Sequence, residues 1–167
     1  LNKNEFLTLF DYNYWATHRL LEVAATANPE HFVAKMEGLS YKSLRGALVH
    51  VLAAEVIWRM RCQEGISPGK LMGEADIPSL DVLVSRWTAE EKSMRAYLDE
   101  LKDEDLNQKI KYKTTKDVAF ETPLWQILLH LVNHGTQYRA EAAVALTAYG
   151  HSPGDLDFMA FLREKTD

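Results

Sequence analysis

The segment Thr122-Pro-Leu-Trp-Gln-Ile-Leu-Leu-His130-Leu-Val-Asn-His134-Gly-Thr-Gln-Tyr138-Arg-Ala-Glu141 decides how the chain folds. Just before it, Ile110, Tyr112 and Thr114 alternate with Lys109, Lys111 and Lys113, and Val118 and Phe120 repeat the two-residue step after a polar turn. Such alternation sends successive side chains to opposite faces and predicts a short hairpin over 109–121, one face packed and the other bearing lysines. From Leu124 onward the sequence reads instead as a helix running to Tyr149, about 28 residues or ~42 Å long. Thr122 reads as its N-cap and Pro123 as its first helical residue, where a missing N–H costs nothing. Gly150, with Pro153 beyond it, supplies the stop.

Working outward, Phe6, Leu9, Phe10, Asn13, Ala16, Leu20, Val23 and Ala24 recur at helical steps, predicting a helix over 5–27 that Asn28-Pro29 ends. Ser43 reads as the cap of a second helix reaching Gln63, closed by Gly65 and Pro68. Residues 65–78 hold three Gly and two Pro and read as one long loop. Ser79 caps a third helix to about Leu101, with Leu80, Leu83, Val84, Trp87, Met94, Tyr97, Leu98 and Leu101 as its buried stripe. A short helix over 155–163 finishes the chain. The expectation is an all-α four-helix bundle, one domain over residues 1–167, with a small β-hairpin before the last long helix.

The 167 residues carry 19 Lys and Arg against 24 Asp and Glu, a formal charge of −5. That balance disfavours a nucleic-acid binder, whose affinity rests on clustered Lys and Arg. Cys62 is the single cysteine, which excludes an intrachain disulfide and an all-cysteine zinc site. The longest apolar runs are broken by His50, Glu55, Gln126 and His130, short of the ~20 residues of a membrane span. The first ten residues include Lys3 and Glu5 and no leader-like apolar core. A cytoplasmic protein with neither membrane nor nucleic-acid partners is expected.

His130 and His134 lie four residues apart on the last helix, on nearly the same line, a spacing that can hold one metal ion between two rings. The apolar neighbours suggest a central helix, in which two neutral imidazoles need partners for their ring nitrogens; hydrogen bonds to backbone or a carboxylate serve as well as a metal. No Glu follows the first histidine as in a metalloprotease helix, and no Glu-x-x-His occurs, so zincin and ferritin-like di-iron sites are both absent. His50 sits among Gly46, Ala47, Ala53 and Ala54, small residues that leave room beside the ring, and offers a third nitrogen from another helix. Three protein ligands with an open position is the usual pattern of a catalytic metal. Glu141, seven residues past His134, reads as an orienting carboxylate, a general base, a ligand, or simply a partner of Arg139 or a hairpin lysine.

Three segments carry a resemblance: Leu9-Phe-Asp-Tyr-Asn-Tyr-Trp-Ala-Thr-His-Arg-Leu-Leu; Ser43-Leu-Arg-Gly-Ala-Leu-Val-His50 through Glu55-Val-Ile-Trp58; and His130-Leu-Val-Asn-His134-Gly-Thr-Gln-Tyr-Arg139. In this order, with the tail Tyr149 to Phe158, they resemble the DinB-like family of metalloenzymes over nearly the whole chain. The resemblance implies up-up-down-down connectivity, a homodimer, and a divalent metal, commonly zinc or nickel, held by three histidines. Two of these map onto His50 and His134. The third maps onto position 138, which is Tyr138 here, and a neutral phenol is a poor zinc ligand. His130 is the available substitute, with Glu141 next. The resemblance further implies a transferase or hydrolase acting on a small molecule, in some members with a low-molecular-weight thiol. The alternative is a non-catalytic bundle whose metal site has degenerated.

Overall fold

The computed structural model describes residues 1–165; the last two residues of the expected 1–167 domain lie outside the described residues. Four long helices form the body: α1 (Lys3–Thr26), α3 (Leu44–Arg59), α4 (Leu80–Glu100) and α5 (Leu124–Ala148). Between them stand α2 (Pro29–Val33), the antiparallel hairpin β1 (Lys109–Lys113) and β2 (Ala119–Pro123), and finally α6 (Phe158–Glu164). The all-α bundle with a hairpin ahead of the last long helix is therefore as the sequence predicts. No helix among the described residues is long and apolar enough to cross a membrane.

Local chemistry fixes most ends. Asn2 and Glu5 form a reciprocal capping box on α1, and the Ser43 and Ser79 hydroxyls accept from the Gly46 and Val82 amides at the starts of α3 and α4. The beginning of α5 differs from expectation. Thr122 and Pro123 belong to β2, paired with Ile110 and Lys109, and Pro123 occupies the cap position without a side-chain hydrogen bond. Ladder pairing takes the chain straight from strand to helix, with the Leu124 amide donating to the Gln108 carbonyl at 2.8 Å. At the other end Gly150 adopts φ +86°, and the His151 amide donates back to the Leu146 carbonyl at 2.9 Å. The short α2 was not legible in advance, although Asn28 caps it and Pro29 is its first residue. The long loop over 65–78 contains one 3₁₀ turn, Glu74–Asp76.

The connectivity corrects the up-up-down-down expectation. Arg95 donates to Asp11 at 2.7 Å, His18 meets Glu91 at 2.7 Å, and the Lys3 amide donates to Asp103 at 2.6 Å, so α1 and α4 are antiparallel. Arg45 bonds Glu74 just ahead of α4 and Arg59 bonds Glu90 further along it, so α3 and α4 run parallel. His50 faces His134 and Trp58 faces His130, which makes α3 and α5 antiparallel. The order is up-down-down-up. The 20 residues between α3 and α4 must carry the chain back along the bundle, and that return runs through the long loop.

The apolar interior falls into two clusters. One joins Leu20 and Ala24 to Leu44–Leu52, Leu83, Trp87 and Ala142–Leu146, the other Phe6–Ala16 to Met94–Leu98 and Leu124–Val132. Between them on α1, α3 and α5 lie Asn13, Thr17, Glu55 and Arg139, all buried. Asn13 donates to Glu55 at 3.3 Å, Tyr14 donates to the other Glu55 oxygen, and Arg139 donates to Asn13. Burial pushes the Glu55 carboxyl up to about 7, against the lowering pull of Tyr14, Arg139 and Asn13. Val84, assigned to the core stripe by periodicity, is exposed.

Candidate metal centre

Positions 50, 54, 57 and 58 of α3, with position 61 just beyond its end, share one helical face, related by steps of three and four residues. That face carries His50, Ala54, Ile57, Trp58 and Arg61, and all five line a cavity of about 290 Å³. The opposing wall is His130 and His134 from α5. Leu71 from the long loop and Tyr112, Thr114, Thr115 and Phe120 from the hairpin complete it. The first strand alternates as the sequence predicts, with the lysines exposed and Ile110 and Tyr112 half-buried, but Val118 and Phe120, expected to repeat the pattern, are exposed, because it is β1 whose side chains pack against the helices. The Tyr112 ring meets Trp58 edge-on at 4.7 Å, holding the ribbon against α3.

His50 Nε2 and His134 Nε2 are 2.9 Å apart. Two metal–nitrogen bonds of about 2.0–2.1 Å subtend about 2.9 Å when perpendicular and about 3.3 Å when tetrahedral, so both nitrogens fit the first coordination shell of one ion. The same distance is an ordinary hydrogen bond between a donor and an acceptor imidazole, with the tautomers assigned to suit. Burial lowers the pKa of both rings, and His134, with His50, His130 and Arg139 nearby, falls to about 4. Both imidazoles are therefore neutral at pH 7, the form a metal requires.

Sequence reasoning missed Tyr41. Its hydroxyl is hydrogen-bonded to the same His50 nitrogen at 3.0 Å, and its ring stacks on the imidazole at 4.0 Å. Tyr138 closes the group edge-on, 4.5 Å from His50, 4.7 Å from His134 and 5.5 Å from Tyr41, ring centre to ring centre. The missed signal lay in Gly46. A Cβ there would run into the Tyr41 carbonyl oxygen and lie 2.9 Å from Tyr41 Cβ, so this small residue makes room for the loop, whereas Ala54 does border the cavity.

Glu141 is neither in the cavity nor paired with Arg139. Its two oxygens accept from the Ser40 amide at 2.8 Å and the Ser40 hydroxyl at 2.6 Å, which anchors the loop next to Tyr41. His130 is exposed at the cavity rim rather than buried in a central helix; its ring lies 5.5 Å from His134 and meets Trp58 edge-on at 5.7 Å. Among the described residues, no three His, Cys, Asp or Glu side chains are grouped so as to hold a metal ion. The donor set gathered at one point is thus two imidazole nitrogens and a phenol. Cys62, with its thiol pushed up to about 12 by burial, supplies no thiolate.

A protein of Bacillus subtilis (strain 168) called Protein DinB is 22% identical over 164 residues, covering 92% of this chain and 91% of that protein. The DinB family model matches residues 1–167, so the chain belongs to the DinB family.

Proposed function

We propose that this chain binds one divalent cation, zinc or nickel, through His50 and His134, and that the adjoining cavity receives a small molecule for group transfer or hydrolysis. The observation supporting it is the 2.9 Å approach of two neutral imidazole nitrogens from facing helices, at the wall of a 290 Å³ cavity. His130 and Tyr138 are the candidates for a third donor, one helical turn either side of His134. A bound cation would supply Lewis acidity, lowering the pKa of a coordinated water or low-molecular-weight thiol.

The chain's own groups would do the rest. Tyr41 stacks against His50 and so holds the plane of its ring, while its hydroxyl, bonded to the same Nε2, would yield that nitrogen to a bound ion. Glu141 acts at one remove, holding Ser40 and with it the Tyr41 loop. Trp58, Ile57, Leu71 and Phe120 give the cavity apolar walls against which the body of a small molecule can pack. His130, at the rim, keeps a lone pair at neutral pH because partial desolvation against the cavity wall lowers its pKa, and can accept a proton from a bound molecule.

A specific observation favours a second reading. Tyr138 stands one turn beyond His134, and no three-residue ligand group is assembled among the described residues, as in a bundle that kept the fold and lost the ion. Zinc and nickel titration of the chelator-treated protein by calorimetry, with His50→Ala and His134→Ala alongside, separates the two. Stoichiometric binding abolished by both substitutions supports the metal centre, and no binding by the wild type supports the degenerate bundle.

A further inference from the structure

Arg61 is buried, at 6% exposure, and lines the same cavity as the histidines. It belongs to a π-helical turn, Met60–Glu64, which follows α3 and closes at Gly65 in the left-handed region. Such single turns recur at functional sites. The guanidinium lies 4.6 Å over the Trp58 ring and 5.2 Å from that of Tyr112. One nitrogen, Nη2, donates to the Lys113 carbonyl at 2.9 Å, while Nε is buried with no hydrogen-bond partner among the described residues.

A buried cation normally has a carboxylate beside it, because removing an unpaired charge from water is costly. Arg61 has no ion-pair partner among the described residues. The neighbouring acids are committed elsewhere: Glu64 and Glu90 both bond Arg59. No Asp or Glu lines the cavity. Of the residues that line it, only Arg61 and the three histidines His50, His130 and His134 can be charged near neutral pH, so Arg61 is the one permanent charge in the cavity wall, with an unused N–H at Nε.

We propose that Arg61 is the anchor for an anionic substrate, a small molecule bearing a carboxylate with an apolar body. A planar carboxylate matches the flat guanidinium fork. The aromatic walls of Trp58, Tyr112 and Phe120 suit an unsaturated or aromatic remainder, and a volume of 290 Å³, the space of about ten waters, limits its size. The carboxylate end would lie at Arg61 and the reacting end toward His50 and His134. The assignment rests on the reading of this cavity as the ligand site, and not on a metal being bound.

Benzoate is the probe, titrated calorimetrically into the chelator-treated full chain at low ionic strength, with uncharged benzamide as its isostere. The expected result is millimolar benzoate binding at least tenfold tighter than benzamide. Arg61→Gln abolishes that discrimination, and Arg61→Lys, which keeps the charge without the fork, restores only part of it. Equal binding of benzoate and benzamide by the wild type, or no benzoate binding, overturns the proposal, and this comparison needs no variant to fold. Undiminished benzoate binding by a folded Arg61→Gln protein overturns it too. Inorganic phosphate binding more tightly than benzoate overturns the carboxylate assignment. Because the titration is made without metal, its failure is distinct from a failure of the chain to bind zinc or nickel, which Arg61→Gln leaves unchanged.

Discussion

His50 on α3 and His134 on α5 are 84 residues apart in sequence and 2.9 Å apart at Nε2. Their helices run antiparallel, so the pairing depends on register along both. Tyr41 stacks behind His50 and Tyr138 packs edge-on to both rings, which leaves the pair little freedom to part.

Gly46→Ala tests the loop's share in that arrangement. The added methyl meets the Tyr41 carbonyl oxygen, a backbone atom, and Tyr41 Cβ at 2.9 Å, so the loop must move. A stability loss of about 1–3 kcal/mol is expected from the overpacking, with weakened metal binding in parallel. Thermal melts and zinc titration of this variant check both, and unchanged values for the two would remove Tyr41 from the site.

The buried polar layer gives a pH dependence. Glu55 titrates near 7 in the fold and near 4.5 in the unfolded chain, so between those values the folded state holds the extra proton. Its contribution to stability is fully present below about pH 4.5 and is lost as pH rises to about 7, by roughly 3 kcal/mol at most. Denaturant unfolding at pH 5 and pH 8 should show Glu55→Gln with a smaller loss toward pH 8 than the wild type. Parallel profiles in the two proteins would contradict the assignment.

Arg139 crosses that layer from α5, 2% exposed, donating to Asn13 and, at 3.3 Å, to Thr136. Arg139→Met leaves the Asn13 oxygen and the Glu55 carboxyl without that cation, and a loss of about 3–5 kcal/mol is expected. Chemical denaturation measures it directly. A change below about 1 kcal/mol would show that the network is loosely held.

Much of the architecture was legible because local rules and tertiary packing agree. The Ser43 and Ser79 caps, the Gly150 stop and the lysine-out hairpin each follow from one residue type at one position. Helix direction was not legible, since it depends on how long loops return, and no local signal in residues 65–78 states that. The start of α5 was misread because the preference for proline in a first helical turn lost to cross-strand pairing of Pro123 with Lys109. In the site, His50 was readable from its small neighbours as a nitrogen offered from a facing helix, whereas spacing pointed to His130 with His134 and the family resemblance to His50 with His134. Tyr41 lies in a loop without periodicity, and Arg61 on the cavity face only because α3 continues into a π turn. Neither carries a pattern in sequence.

The most direct measurement is the zinc and nickel stoichiometry of the purified, metal-loaded protein by elemental analysis, compared with His50→Ala and His134→Ala. The account predicts about one divalent ion per chain in the wild type and a near-complete loss in each variant. A wild type that retains no ion after loading, or variants that retain as much as it does, would contradict the metal centre and leave the pair as a hydrogen bond between two histidines.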